Sequence, residues 1–359
     1  MEQIILFTFL ILFPFGQIIK IGIVNPIDIV VGAGALWAIL KKNKHPSVFK
    51  YFNNFLYVVS FSYIVSIFLI KEIDLVYGLL YLVRLVAYFY FFTLVSNFKN
   101  KKLLLNSLLS LSIFSAIFGW IQYFLYPDVR ALIYYGWDDH LYRMVGTFLD
   151  PTFLGLILVL GSILAFYQKK YLAFGFLAFS ILFTYSRASY LALLIPSFFV
   201  FKKLKYYLLF VICLLIIVIF LPKKAGEGVR LERTSSIVAR LESYGATFSV
   251  FKESPLFGVG FNNICLAKDK NFSSHSCSGS ESSLLFLLAT TGVVGFVSFV
   301  YFVFKVGGSL SRNSTFYILH STFIAIFVHS LFSNSLFYPW IMGYLMILLA
   351  ITLKREVKT

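Results

Sequence analysis

Charged and acidic residues are scarce in this sequence. Only 13% of its 359 residues are charged, and 15 Asp and Glu stand against 31 Lys and Arg. Hydrophobic residues make up 60% of the chain, and the mean hydropathy is +0.87. A soluble domain of this length would need far more polar surface, so this composition excludes a soluble globular protein.

Several common chemical motifs are also missing. The sequence has no zinc-ligand spacing, no Gly-rich phosphate loop and no nucleophile elbow, so it predicts neither a metal nor another cofactor. Its excess positive charge follows the membrane topology described below, and we therefore infer no nucleic-acid partner. Of three cysteines, Cys213 lies in an apolar run, whereas Cys265 and Cys277 share a polar segment and predict a disulfide on an oxidising face.

Long apolar runs recur along the whole chain and predict an all-α, polytopic membrane protein with about twelve transmembrane helices in one integral membrane domain, residues 1–359. The predicted spans are 3–19, 26–40, 52–70, 75–96, 103–126, 151–167, 171–186, 188–201, 206–222, 283–304, 316–333 and 335–353. The first run lacks a basic n-region and a cleavage site, so we interpret it as a retained span. The pairs flanking Lys20 and Arg187 are short enough to be hairpins that enter the bilayer only partway.

Lysine predicts the orientation of the chain. Alternation of the spans places six basic segments on one face: Lys41, Lys42, Lys44 and Lys50; Lys99, Lys101 and Lys102; Lys169 and Lys170; Lys202, Lys203 and Lys205; Lys305 and Arg312; Lys354, Arg355 and Lys358. Positive residues mark the cytoplasmic side of a membrane protein. Both termini are therefore predicted in the cytoplasm, with loop 127–150 and the large loop 223–282, before the tenth span, outside.

Arginine is concentrated on the opposite face. The predicted outer side holds Arg130, Arg143, Arg187, Arg230, Arg233 and Arg240, while Arg84 stands alone inside the fourth span. Outer arginines weaken the topology signal, so another property must favour them. A guanidinium binds phosphate through two parallel hydrogen bonds, which suits an anionic headgroup or a lipid pyrophosphate. The alternative is that these arginines anchor spans at lipid headgroups.

Two short outer segments present arginines beside helix ends. In the stretch 143–155, Asp150 fits an N-cap and Pro151 the first helical position, which leaves Arg143 without a structural explanation. The stretch 185–189 predicts a tight turn that holds Arg187 near helix amides, which also attract anions.

The segment 235–251 predicts an amphipathic helix in the large outer loop. Its apolar residues recur at helical spacing: Ile237, Leu241, Tyr244, Phe248 and Phe251. We expect this helix to lie in the outer membrane interface with that stripe down, or to pack on the spans, and the two interpretations are compatible. Arg233 and Arg240 lie along one edge, and Pro255, Gly258 and Gly260 then break the helix.

Two candidate proton acceptors precede the tenth span. Glu281 stands at its outer mouth and His275 lies just upstream. Either can take a proton from a sugar hydroxyl. The structural alternatives are a first-turn acid favoured by the helix dipole for Glu281 and an ordinary loop histidine for His275.

Four stretches within 143–295 together resemble the O-antigen ligase and O-antigen polymerase family of bacterial integral-membrane glycosyltransferases. They are Arg143 with Gly146-Thr147-Phe148 and Asp150-Pro151; Thr184 with Ser186-Arg187; Arg240 followed by Pro255-Leu256, Gly258 and Gly260; and Leu285, Gly292 and Gly295. Each stretch is weakly specific alone, and the large outer loop adds to the likeness.

The resemblance implies a function at the outer face of the bacterial cytoplasmic (inner) membrane, in surface polysaccharide or lipopolysaccharide assembly. Such proteins move a glycan from a polyprenyl-pyrophosphate carrier to a hydroxyl of a glycan or lipid-linked acceptor, without a nucleotide sugar and usually without a metal. The resemblance also implies that Arg143, Arg187 and Arg240 bind the pyrophosphate, which agrees with the separation of lysine from arginine.

Two positions depart from the family pattern. Asp150-Pro151-Thr152 stands where the family often has Asn-Pro-Asn, and Glu281-Ser282 stands where ligases typically have His-Asn. We therefore predict that the catalytic base is Glu281, or His275 reaching in from the loop, and the departure slightly favours a polymerase or another branch. The alternative functions are a transporter or flippase of lipid-linked glycans and a structural or lipid-sensing protein. A transporter needs ionisable groups along a cavity, and these spans hold few.

Overall fold

The computed structural model describes residues 1–20, 22, 24–69, 75–201, 203–222, 226–267, 280–310 and 314–353. Over these residues the chain is helical, and the described part contains no β-strand. Its helices, in chain order, are α1 Glu2–Leu12, α2 Pro26–Leu40, α3 Phe49–Leu69, α4 Leu75–Ser96, α5 Lys101–Leu125, α6 Pro151–Tyr167, α7 Tyr171–Leu182, α8 Arg187–Val200, α9 Leu204–Ile219, α10 Ser235–Glu253, α11 Ile264–Ala267, α12 Ser283–Gly308, α13 Ser314–Ser330 and α14 Pro339–Thr352.

Each predicted span contains one helix, and α2, α4 and α6 coincide with theirs. In the described part of the chain, four helical segments are long and apolar enough to cross a membrane: Phe49–Phe68, Gly78–Ser96, Lys101–Leu125 and Ser283–Gly308. A helical membrane protein is thus confirmed, whereas twelve crossings stay a prediction. The 12 residues of α7 and the 14 of α8 extend only about 18 and 21 Å, less than the ~30 Å hydrocarbon core.

The charge inside the fourth span is paired. Arg84 on α4 donates from Nη2 to Asp28 Oδ2 at 2.8 Å, and the Tyr88 hydroxyl donates to Asp28 Oδ1 at 3.2 Å. The side chains of Arg84 and Asp28 are 9% and 11% exposed. The expectation that Arg84 stands alone was wrong, because α2 packs against α4 and brings the acid of its first turn opposite the arginine.

The helix α12 is broken near its middle. Gly292 has φ 66° and ψ −171°, which ends the regular helical hydrogen bonding there. The loop after α10 fills the break, since Val293 N–H donates to the Pro255 carbonyl at 2.9 Å and Val294 N–H to the Leu256 carbonyl at 3.2 Å. Backbone groups freed by the break are therefore satisfied inside the protein, as a membrane environment demands. The loop after α10 is thereby held against α12.

The helix α10 packs on α12 and keeps part of its apolar surface open. Thr247 and Val250 are buried. Of the predicted apolar stripe, Ile237, Leu241 and Phe248 remain 46%, 62% and 44% exposed. The segment thus forms the predicted helix and packs on the spans, and its exposed apolar residues are available to lipid.

Replacing Arg84 with Met should destabilise the protein, because Asp28 would keep a buried charge without its cation. Removal of one partner from a buried ion pair costs about 3–5 kcal/mol. The double variant Arg84→Met, Asp28→Asn should recover much of this loss. The measurement is the thermal unfolding midpoint in detergent. The matched control is Arg130→Met, whose exposed pair with Asp128 should contribute little. Equal midpoints for Arg84→Met and wild type would contradict the pairing.

Candidate active site

Two arginines hold the turn between α7 and α8. Tyr185 in this turn has φ 49°, a left-handed conformation that bulky residues rarely adopt. Arg143 donates from Nε to the Thr184 carbonyl at 3.0 Å and from Nη2 to the Tyr185 carbonyl at 3.3 Å. Arg233 donates from Nη2 to the same Tyr185 oxygen at 3.4 Å. The guanidinium groups therefore satisfy carbonyls left open at the end of α7 and fix the turn.

Arg187 begins α8 directly after the turn. Its Nη1 donates to the Arg233 carbonyl at 3.0 Å, and its Nη2 donates to the Ser236 hydroxyl. Ser236 lies four residues before Arg240 on α10, so both share one face of that helix. These contacts bring Arg187 to the α10 face that carries Arg240.

Arg240 contacts the candidate base. Its Nε lies 3.5 Å from Glu281 Oε2, with side chains 22% and 47% exposed, and its guanidinium lies 6.0 Å from the Phe332 ring centre. Within the described ranges, the terminal nitrogens of Arg240 make no hydrogen bond, so they can serve an added anion. Arg240, predicted to bind the donor pyrophosphate, thus lies in contact with Glu281, predicted to activate the acceptor.

Four arginines form what we call the arginine cluster: Arg143, Arg187, Arg233 and Arg240. The first three bond to carbonyl or hydroxyl oxygens. Burial lowers the pKa of Arg143 to about 9, and the charge of Arg233 acts in the same direction. Burial also lowers the pKa of Arg233, as do Arg187 and Arg240, against the opposing effect of Glu227. The cluster brings together guanidinium charges that repel one another, and a bound anion would relieve this repulsion.

The carboxyl of Glu281, the candidate proton acceptor, has a perturbed pKa. Burial raises the pKa of this carboxyl, and Asp150 and Asp138 add to the rise, while Arg240 opposes it. A raised pKa brings a carboxylate closer to the range in which it can exchange protons near neutral pH. Glu281 therefore combines exposure, a nearby cation and an altered pKa.

The predicted site residues separate into groups. Arg187, Arg240 and Glu281 come together, while Arg143 is 8% exposed and lies beneath the turn that it holds. Asp150 is the predicted N-cap of α6, with Oδ1 accepting from Thr152 N–H at 2.6 Å and Phe153 N–H at 3.0 Å.

Two predictions concern segments outside the described residues. His275, the second candidate base, and Cys277 both lie there. Cys265 is disulfide-bonded and Cys213 is free. The pairing of Cys265 with Cys277 stays a prediction.

Two residues were missed by the sequence analysis. Arg233 was predicted as one of the outer arginines and as part of a helix edge but was not selected as a site residue, although its spacing of seven from Arg240 was the available signal. His329, at the end of α13, is fully buried between two serine hydroxyls. Its only signal was a histidine followed by several serines at the end of an apolar run.

Comparison with known proteins identifies the segment that carries most of this site. The family model described as O-antigen ligase matches residues 172–300. The matched stretch runs from α7 into α12 and contains Arg187, Arg233, Arg240 and Glu281. No curated protein matches the chain. The match confirms the family resemblance predicted from the sequence, and with the apolar helices it indicates a bacterial inner-membrane protein.

Arg143→Lys should lower stability and activity together. A lysine ammonium cannot span the two carbonyls that the Arg143 fork reaches, so a buried acceptor would lose its partner at a cost of about 1–3 kcal/mol. The measurement is the thermal unfolding midpoint in detergent. Arg230→Lys, at an exposed position, is the matched control and should leave the midpoint unchanged. An unaltered midpoint for Arg143→Lys would show that the turn does not depend on the fork.

Proposed function

We propose that this protein, whose residues 172–300 match the O-antigen ligase family model, is a glycosyltransferase of that family that acts at the outer face of the inner membrane without a metal ion. It moves a glycan from a polyprenyl-pyrophosphate carrier to a sugar hydroxyl of a glycan or lipid-linked acceptor. The observation that carries the proposal is the convergence of the arginine cluster beside Glu281.

The donor pyrophosphate binds to the exposed part of the cluster. Arg187 and Arg240, with Arg233 beside them, neutralise the charge that develops on the leaving group as its bond to the sugar breaks. Preorganised donors aimed at developing charge are commonly the largest contribution to catalysis. Arg143 takes part through the turn, because its guanidinium bonds to the carbonyls of residues 184 and 185.

The acceptor is activated by Glu281, with His275 as the alternative base. The carboxylate takes the proton of the acceptor hydroxyl while that oxygen attacks the anomeric carbon of the donor sugar. The anomeric carbon–oxygen bond breaks on the opposite side, and polyprenyl pyrophosphate leaves with the bonding pair. One direct displacement inverts the anomeric configuration. Arg240, in contact with Glu281, adjoins both reactants.

The membrane arrangement that we propose has about twelve spans, with both termini in the cytoplasm and the large loop outside. Three features support it: a helix in each predicted span, four described segments long enough to cross, and lysine-rich segments that alternation of the spans would place on one face. The exposed Ile237, Leu241 and Phe248 of α10 would rest in the outer interface. The carrier tail would then enter sideways from the lipid.

Arg187→Lys should lose most transfer activity, with a smaller loss of stability than Arg143→Lys because Arg187 is less buried. Lysine keeps the charge but not the two parallel hydrogen bonds to a phosphate, so a ligand-binding arginine cannot be replaced by it, whereas a membrane-anchoring arginine can. The measurement is transfer from a radiolabelled polyprenyl-pyrophosphate glycan in proteoliposomes. Arg130→Lys is the matched control, since Arg130 bonds to Asp128. Transfer by Arg187→Lys at the wild-type rate would contradict the assignment of Arg187 to the donor site.

Glu281→Gln should lower kcat and leave donor affinity nearly unchanged, because the amide cannot accept the proton. The wild-type rate should rise with pH through the raised pKa of Glu281, since only the ionised carboxylate acts as a base. That acidic limb should disappear in Glu281→Gln. The measurements are kcat against pH and separate donor binding. An unchanged limb in Glu281→Gln would assign the base to another group, with His275→Gln as the next variant.

A further inference from the structure

A buried histidine lies behind the candidate site, and the mechanism above does not use it. His329, at the C-terminal end of α13, has no solvent exposure. Its Nδ1 lies 2.5 Å from Ser335 Oγ and its Nε2 lies 3.4 Å from Ser189 Oγ. Ser189 Oγ in turn lies 2.9 Å from Ser186 Oγ, and Ser186 caps α8 immediately before Arg187. A continuous chain of polar side chains thus runs from Ser335 through His329 and Ser189 to Ser186, the residue before Arg187.

One arrangement of protons satisfies this chain. In the tautomer with the proton on Nε2, the Ser335 hydroxyl donates to Nδ1 of a neutral imidazole, Nε2–H donates to Ser189, and the Ser189 hydroxyl donates to Ser186. Neutral imidazole accepts at one ring nitrogen and donates at the other, which matches this geometry. Because a buried polar group without partners is costly, all four side chains depend on each other's placement.

The residues just after His329 contact the other parts of the site. The Ser330 carbonyl accepts from the Ser282 hydroxyl at 3.2 Å, next to Glu281. The Leu331 carbonyl accepts from the Tyr244 hydroxyl at 2.6 Å, one helical turn after Arg240. The segment 329–335 is therefore bonded to α8, α10 and α12, the three elements that carry or adjoin Arg187, Arg240 and Glu281.

We propose that His329 is a positioning residue that holds Arg187 in register with Arg240 and Glu281. It acts through Ser189 and Ser186 on the start of α8, while the backbone after it holds α10 and the start of α12. The catalytic interpretation of this register rests on the proposed function. The register itself is a property of the fold and can be measured without any substrate.

Two substitutions of His329 test the contacts of its two ring nitrogens separately. The amide of Gln reaches the position of Nε2, so His329→Gln can keep the contact with Ser189. The amide of Asn reaches only the position of Nδ1, so His329→Asn keeps the contact with Ser335 and loses the one toward Arg187. We expect His329→Asn to lose up to about 100-fold in donor kcat/KM, the effect of a displacement of about 1 Å. His329→Gln should retain most activity, and the KM for the acceptor should stay unchanged in both.

Coupling to Arg187 and an independent distance measurement complete the test. The losses of activity from His329→Asn and Arg187→Ala should not add, because both variants lack a correctly positioned Arg187 guanidinium. Spin labels at positions 191 on α8 and 241 on α10, both exposed, should give one narrow distance distribution in wild type and His329→Gln and a broader one in His329→Asn. The control is His45→Gln, at a histidine bonded to Thr93 Oγ1, which should change neither readout.

Several outcomes would overturn the proposal. A narrow, wild-type distance distribution in His329→Asn would show that the histidine does not set the register. Equal loss of activity and of thermal stability in His329→Asn and His329→Gln would indicate a general packing role. Failure of the proposed function has a different signature: Arg187→Lys and Glu281→Gln would both transfer normally, while the distance measurement would still decide the role of His329.

Discussion

The carbonyl oxygen of Tyr185 is the acceptor on which the candidate site depends. Arg143 approaches it from the segment before α6, and Arg233 approaches it from the loop before α10. The left-handed φ of 49° at Tyr185 is unfavourable for a bulky side chain, so the turn persists only because its surroundings stabilise it. The same turn sets where α8 begins and hence where Arg187 lies. Arg143 and Arg233, whose charges repel each other, thus both bond to the turn that positions Arg187.

The arginine cluster holds more positive than negative charge, which is typical of a binding site and not of a stabilising ion pair. Three of the four arginines bond to carbonyl or hydroxyl oxygens, which stabilise a guanidinium without neutralising it, and Glu281 is the acid in direct contact with the fourth. A protein selected for stability alone would pair these cations with carboxylates, as Arg84 is paired with Asp28. The cluster instead keeps a net positive charge that a pyrophosphate can neutralise. The repulsion among its arginines in the free protein would therefore favour binding of the proposed donor.

The sequence predicted local features well and distant contacts poorly. Hydrophobic runs predicted α2, α4 and α6 to the residue, and the Asp150-Pro151 pair predicted the N-cap of α6. Each of these signals lies within the element that it predicts or next to it in the sequence. The partners of Arg84 and Arg143 lie 56 and 41 residues away. No periodicity encodes such contacts. His329 was missed for the same reason, because its partner Ser189 is 140 residues distant.

The short helices around Arg187 have a consequence for binding strength. The 14 residues of α8 cover about 21 Å, so in the proposed arrangement one end of this helix lies within or near the hydrocarbon region. Coulomb attraction grows as the local dielectric constant falls, and the N-terminus of α8 adds its own partial positive charge. An arginine at a recessed helix start therefore attracts a pyrophosphate more strongly than the same arginine on an exposed loop. The limited depth also leaves the headgroup and its attached glycan close to the aqueous side, where an acceptor sugar can approach Glu281.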